Sequence, residues 1–230
     1  VRRSTAERAD ALRAATAALM ARSKREIPHS YLSRDVDLGA ALGWMAEQNA
    51  GRPAARRLLP AALLLKAAAR AARRCPRLNG FWLDDAFQPA EEVNLGVAVA
   101  LRGGGLVAPA LPGADGLSLD ELMAALRDLV TRARAGRLRA SEVSSPTITV
   151  TNLGDAGAGA VFGVISPPQV ALIGFGAVRE RPWAERGMLT VRPVVTATLS
   201  ADHRASDGRQ GAALLAALDD ALQQPEGLQA

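Results

Sequence analysis

Residues 191–200 read VRPVVTATLS and continue directly into ADHRASDG over residues 201–208. The first part alternates β-branched residues in the period-2 pattern of a strand, and residues 210–223 that follow carry leucines at helical spacing. The polar segment between them therefore sits where a strand ends and a helix starts, a junction that can present a side chain in a cleft. It holds His203, one of only two histidines in the chain. Asp207, four residues on, can orient an imidazole directly or through a charged neighbour, and Gly208 permits a close backbone approach. A second reading of the same H-x-x-x-D-G is a plain strand-to-helix loop whose Asp caps the helix.

Working outward, residues 147–154 read TITVTNLG, a β-branched strand that ends in a hydroxyl, an amide and a glycine, with Gly157 and Gly159 beyond it. Such an end suits holding an oxyanion or approaching an extended cofactor. Residues 170–176 form an apolar run bounded by Pro167-Pro168 on one side and Gly174 and Gly176 on the other, the pattern of a buried strand. Residues 28–38 (PHSYLSRDVDL) alternate as a strand with one wet face. Residues 81–87, 95–101 and 106–109 read as short strands in a meander or hairpin, with Gly103 to Gly105 as the clearest turn. Helices are predicted over 6–23, 42–49, 56–74 (ending before Pro76) and 118–134, where Ser118 and Glu121 have capping-box spacing. Helices and strands are interspersed without regular βαβ order. The expected fold class is α/β, one two-layer domain with a mixed β-sheet flanked by helices.

The chain's 230 residues and 49% apolar content suffice for a sizeable core and exclude a disordered tail. Only two of its 28 basic residues are lysines (Lys24 and Lys66); against 23 acids they leave a net charge of +5. That excess suits anionic partners, phosphorylated cofactors among them, or reflects an alanine- and arginine-rich coding bias. A single cysteine, Cys75, excludes an intrachain disulfide framework and a zinc-finger ligand set, and points to a reducing, cytoplasmic setting. It ends a predicted helix with no histidine close in sequence, so a small buried side chain is expected there. His29 has no carboxylate or cysteine at metal spacing and reads as structural; no metal site is expected. Uncharged runs such as 58–65 and 161–175 are too short, or too broken by Gly and Pro, to span a membrane. Neither a P-loop nor a dinucleotide-binding glycine motif occurs, and eight aromatic residues without a reading motif argue against nucleic-acid recognition. Residues 1–10 (VRRSTAERAD) read as a polar linker remnant and 11–230 as the catalytic domain, a piece of something larger.

Taken in order, these motifs resemble the catalytic domain of the dihydrolipoamide acyltransferases, the core components of 2-oxo acid dehydrogenase complexes. Residues 13–24 (RAATAALMARSK) are similar to that family's opening helix, and Ile27-Pro28-His29 and Asp35-Val36-Asp37 to its next segment. Asn79, Gly96-Val97-Ala98, Gly105-Leu106-Val107 with Pro109, the 147–154 patch, Pro167-Pro168, Asp202-His203-Arg204 and Asp207-Gly208 follow in the family's order. The resemblance implies the CoA-dependent acyltransferase fold, shared with chloramphenicol acetyltransferase, and homotrimers with active sites between subunits. Such trimers build 24- or 60-subunit cores that serve decarboxylase and dihydrolipoamide dehydrogenase components.

The resemblance also implies that His203 is the general base, that Thr151 donates to the oxyanion where family members carry serine, and that Asp207 orients the ring, with Arg13 as its ion-pair partner. Coenzyme A would be a substrate, with Arg13, Asn152, Gly154 and Gly208 as candidate cofactor-binding residues. The lipoyl group would come from a domain outside this chain, since neither lysine lies in a lipoyl-bearing Asp-Lys motif. Two further readings stay open: a sibling CoA-dependent acyltransferase acting on a small alcohol or amine, and an assembly scaffold with impaired catalysis.

Overall fold

The structure, a computed structural model, describes residues 5–101 and 105–229. Its elements, in chain order, begin with helix α1 (Thr5–Glu26), strand β1 (His29–Asp37), helices α2 (Gly39–Ala50) and α3 (Pro60–Arg74), and strands β2 (Gly80–Leu83) and β3 (Ala86–Pro89). Strands β4 (Leu95–Val97), β5 (Val99–Ala100), β6 (Leu106–Val107) and β7 (Ala110–Leu111) follow, then helices α4 (Leu119–Arg134) and α5 (Ala140–Ser144). The chain continues through β8 (Ile148–Asn152), β9 (Ala171–Phe175), β10 (Arg179–Glu185), β11 (Met188–Asp202) and α6 (Gly208–Gln223).

The 15-residue β11 is the spine of a seven-stranded mixed sheet, six of whose strands follow the order β1-β11-β9-β8-β4-β7 while the seventh, β10, pairs with β11 off that path. Strand β1 pairs antiparallel along one side of it; β10 and β9 share the other side, β10 facing residues 188–194 and β9 residues 197–201. Strand β8 runs parallel to both β4 and β9, as expected of strands buried on both faces. Alternation along β11 sends Val195, Ala197, Leu199 and Ala201 into the main core with α3 and α6, while Thr198, Ser200 and Asp202 are buried on the opposite face. Helix α3 is nearly all buried, and its alanine row lets α6 approach closely. Lys66 lies inside it with a fully covered side chain, donating to the carbonyls of Asp115 and Leu117.

The second face of the sheet is covered by residues 153–169 and the end of α1. Ser23 Oγ donates to the Ile165 carbonyl at 2.6 Å, and Ile27, Ile165 and Leu172 make a small separate apolar cluster. A side chain at Gly174 would place its Cβ 2.2 Å from the Val161 carbonyl oxygen, so this crossing requires glycine.

Most predicted elements form, the Ser118–Glu121 capping box included. The exceptions are physical. Residues 81–87 are a hairpin, because Asp84 and Asp85 both take positive φ (51° and 56°) and turn the chain back. The helix expected from 56 starts at Pro60, whose fixed φ suits a first helical position. Strand β10 (RERPWAE) had no apolar alternation to announce it and is carried by its pairing with β11. Helix α1 is continuous from Thr5 and runs through the boundary expected at residue 10; residues 1–4 lie outside the described residues, as do Gly103 and Gly104 of the expected turn.

Candidate active site

The two histidines differ in how far their nitrogens are committed. His29 Nδ1–H donates to the Ile27 carbonyl at 2.9 Å and Nε2 accepts from the Ile165 amide at 3.2 Å, so the ring holds the covering segment in place. Burial pushes this ring below the ordinary histidine range, and the nearby Lys24 charge pushes the same way. The unfolded chain therefore binds a proton at pH values where the folded ring stays neutral, and stability should fall as the pH drops below about 6.5. Thermal unfolding of His29→Gln between about pH 7.5 and 5.5 should show a shallower decline than that of the unaltered chain; equal slopes would contradict this role.

His203 is different. It opens the turn after β11, its backbone N–H donates to the Pro28 carbonyl at 3.0 Å, and its exposed ring has no hydrogen-bond partner among the described residues. Thr151 shows the same contrast among threonines. The hydroxyl of Thr147 donates to Asn79, that of Thr149 to Gln169, that of Thr196 to Asp35 and that of Thr198 to the Val161 carbonyl. Thr151, half-buried near the end of β8, keeps a hydroxyl with no partner among the described residues. One uncommitted imidazole and one uncommitted hydroxyl can together serve base chemistry and oxyanion stabilisation.

A single copy does not bring them together. Thr151, Gly174 and Thr198 stand abreast on β8, β9 and β11, and Asp202 lies four residues further along β11. At about 3.3 Å per residue and about 4.8 Å between strands, Thr151 is roughly 16 Å from Asp202, the residue before His203. The two groups lie toward opposite ends of the strands.

Two expected contacts are not made within this chain. Asp207 does not orient His203: its carboxylate caps α6, accepting the Gln210 amide at 2.9 Å, with Gln210 returning a bond to the Asp207 amide. Arg13 does not meet Asp207; it is exposed on α1 and pairs with Asp10 at 2.9 Å. A Cβ at Gly208 would find open space within this chain. Asn152 Oδ1 accepts the Gly154 amide at 2.8 Å, which orders the turn after β8 beside Thr151. Asn152 also lines a cleft of about 360 Å³ with Val97, Leu153 and Phe175, while a larger cavity of about 640 Å³ between α3 and α6 contains none of these residues.

What the sequence reading missed is the setting of Arg204. Its guanidinium grips the fully buried carboxylate of Asp202 and lies 4.6 Å from the ring centroid of Trp82. Opposite charges at i and i+2 astride the histidine were the available signal.

The family described as 2-oxoacid dehydrogenases acyltransferase (catalytic domain) matches residues 2–230. The chain belongs to this family. Among curated relatives of the family, the dihydrolipoyllysine-residue acetyltransferase component of the pyruvate dehydrogenase complex of Zymomonas mobilis is 33% identical over 218 residues, 94% of this chain and 49% of that protein. The chain spans about half the length of the curated relatives it matches. Two solved family structures, the dihydrolipoamide acetyltransferase of Azotobacter vinelandii and a cubic core of the pyruvate dehydrogenase multienzyme complex, each superpose with a TM-score of 0.88 at 26% identity, covering 94% of this chain and 90% of theirs. Chloramphenicol acetyltransferase shares the fold alone, at a TM-score of 0.57 and 14% identity, over 89% of this chain and 94% of that one.

Proposed function

We propose that this chain transfers an acyl group between a dihydrolipoyl thioester and coenzyme A, at a site formed by His203 of one copy and Thr151 of the next. One observation carries the assignment. The Azotobacter vinelandii structure concerns the catalytic role of a serine, a histidine and an asparagine that are 52 and 4 residues apart, and Thr151, His203 and Asp207 are 52 and 4 residues apart here. In this chain the first two of those positions hold an uncommitted hydroxyl and an uncommitted imidazole.

The chemistry follows from those two groups. A thiol with a pKa of about 8.5 is mostly protonated at neutral pH, so the CoA thiol needs a base to become a nucleophile. The unpartnered His203 ring takes that proton. The thiolate attacks the thioester carbonyl of the acylated dihydrolipoyl group, and the Thr151 hydroxyl donates to the oxyanion of the tetrahedral adduct. Collapse breaks the bond to the dihydrolipoyl sulfur, which recovers the proton from His203. The net charge of +5 favours the anionic CoA phosphates.

About 16 Å between Thr151 and the residue before His203 in one chain is too far for a single adduct to touch both groups. Identical copies solve this head to tail, the His203 end of one against the Thr151 end of the next, and such a contact closes into a ring where its rotation closes. The homotrimer is that ring, and 24- or 60-subunit cores are assemblies of trimers. The lipoyl substrate and the decarboxylase and dihydrolipoamide dehydrogenase components are separate partners.

Incubation with acetyl-CoA and free dihydrolipoamide tests the reading. The expected result is acetyl-dihydrolipoamide with stoichiometric release of CoA. Acylation of a small alcohol or amine without that thioester would replace it with the sibling activity, and assembly without any transfer would leave a scaffold.

A further inference from the structure

Asp202 is the last residue of β11 and its side chain is fully buried. An unpaired carboxylate there would be costly, and its side-chain partner among the described residues is Arg204. Arg204 Nε lies 3.0 and 3.2 Å from the two carboxylate oxygens, Nη2 lies 2.6 Å from Oδ2, and the Arg204 backbone amide donates to Oδ1 at 3.0 Å. The Asp202 carbonyl accepts the amides of Ala205 and Ser206. One residue thus ties the turn on both sides of His203.

The far face of the guanidinium is closed by Trp82. Trp82 belongs to the β2–β3 hairpin, which stands outside the main sheet but is fastened beside it: Gly80 N–H donates to Thr147 O, Trp82 N–H donates to Pro168 O, and Phe81 bridges Gln169. The indole Nε1–H is buried without a hydrogen-bond partner, so the ring is kept there by stacking and packing. Arg204 is therefore held between a buried carboxylate and an aromatic face. The planar fork that does both is specific to arginine.

We propose that Arg204, clamped by Asp202 and stacked on Trp82, is the positioning residue for His203, and that the β2–β3 hairpin is the buttress of the general base. The inference rests on the assignment of His203 as that base. Asp207 makes no hydrogen bond to the ring among the described residues, and its Oδ1 caps α6.

Three variants of this chain test it: Arg204→Lys, which keeps the charge but loses the fork; Trp82→Leu, which loses the ring face; and Trp82→Phe, which keeps one. Arg204→Lys and Trp82→Leu are expected to lower kcat about 10- to 100-fold per folded chain, with KM for CoA changed by less than about twofold. Trp82→Phe is expected to stay within about threefold of the unaltered protein. Loss of melting temperature with kcat per folded chain unchanged would overturn the proposal.

A second readout does not need turnover. With ¹³C-labelled histidine the chain gives two ring Cε1–H signals, assigned with His203→Ala, and the His203 signal should broaden or split in Arg204→Lys and Trp82→Leu. An unchanged signal in both would overturn the proposal. If the unaltered chain transfers no acyl group, the assignment of the base fails while this signal still decides the brace.

Discussion

His203→Ala is expected to lower acyl transfer by roughly 10²- to 10⁴-fold, the range that a positioned acid–base group contributes, with fold and assembly retained. The size follows from the chemistry, because without a base the nucleophile is the small thiolate fraction that the attacking thiol, dihydrolipoamide in the assay below, carries at neutral pH. Retention of the fold follows from the structure: the ring is exposed and has no hydrogen-bond partner among the described residues, while the backbone bond to Pro28 survives the substitution. The measurement is kcat with acetyl-CoA and dihydrolipoamide, beside particle mass and thermal unfolding. Unchanged kcat would remove His203 from the reaction and favour the scaffold reading.

Thr151→Val should cost about 10²- to 10³-fold in kcat, or about 3 kcal/mol, the effect of deleting one oxyanion donor. Valine keeps the shape and the β-branching that suit β8, and no side-chain hydrogen bond among the described residues is lost, so stability should hold. Thr151→Ser keeps the hydroxyl and should keep most of the rate. The pair separates the hydroxyl from the packing: a rate held in Thr151→Val and lost in Thr151→Ser would mean that the methyl group, and not the donor, matters at this position.

Much of the fold was legible because burial and periodicity coincide. The β-branched runs at 147–151 and 191–200 are central strands, and the alanine- and leucine-rich run ending at Arg74 is the most buried helix. Legibility failed where pairing, not side-chain pattern, makes the strand. Strand β10 has charged residues, proline and tryptophan in place of an apolar alternation, and it exists because β11 offers it a partner. Local chemistry misled at Asp207, which has the spacing to serve a histidine but stands at the first open turn of α6, where a carboxylate has unpaired amides to accept.

The candidate site was half legible. His203 and Thr151 were readable as residue types at strand ends, but sequence order says nothing about which end of the sheet each reaches. Strand register decides that, and it puts them toward opposite ends of the strands. Arg204 escaped notice because its partner Trp82 is more than 100 residues away in sequence, on a hairpin that first read as a single strand.

The central claim, that one active site draws His203 and Thr151 from different copies, has a direct test in subunit complementation. His203→Ala and Thr151→Val chains, each nearly inactive alone, are unfolded together at equal amounts and reassembled. Random mixing in a ring puts an intact His203 against an intact Thr151 at about one interface in four, so roughly a quarter of the unaltered activity should return. Activity no higher than the sum of the two separate variants, in particles shown by mass to contain both chains, would contradict the account.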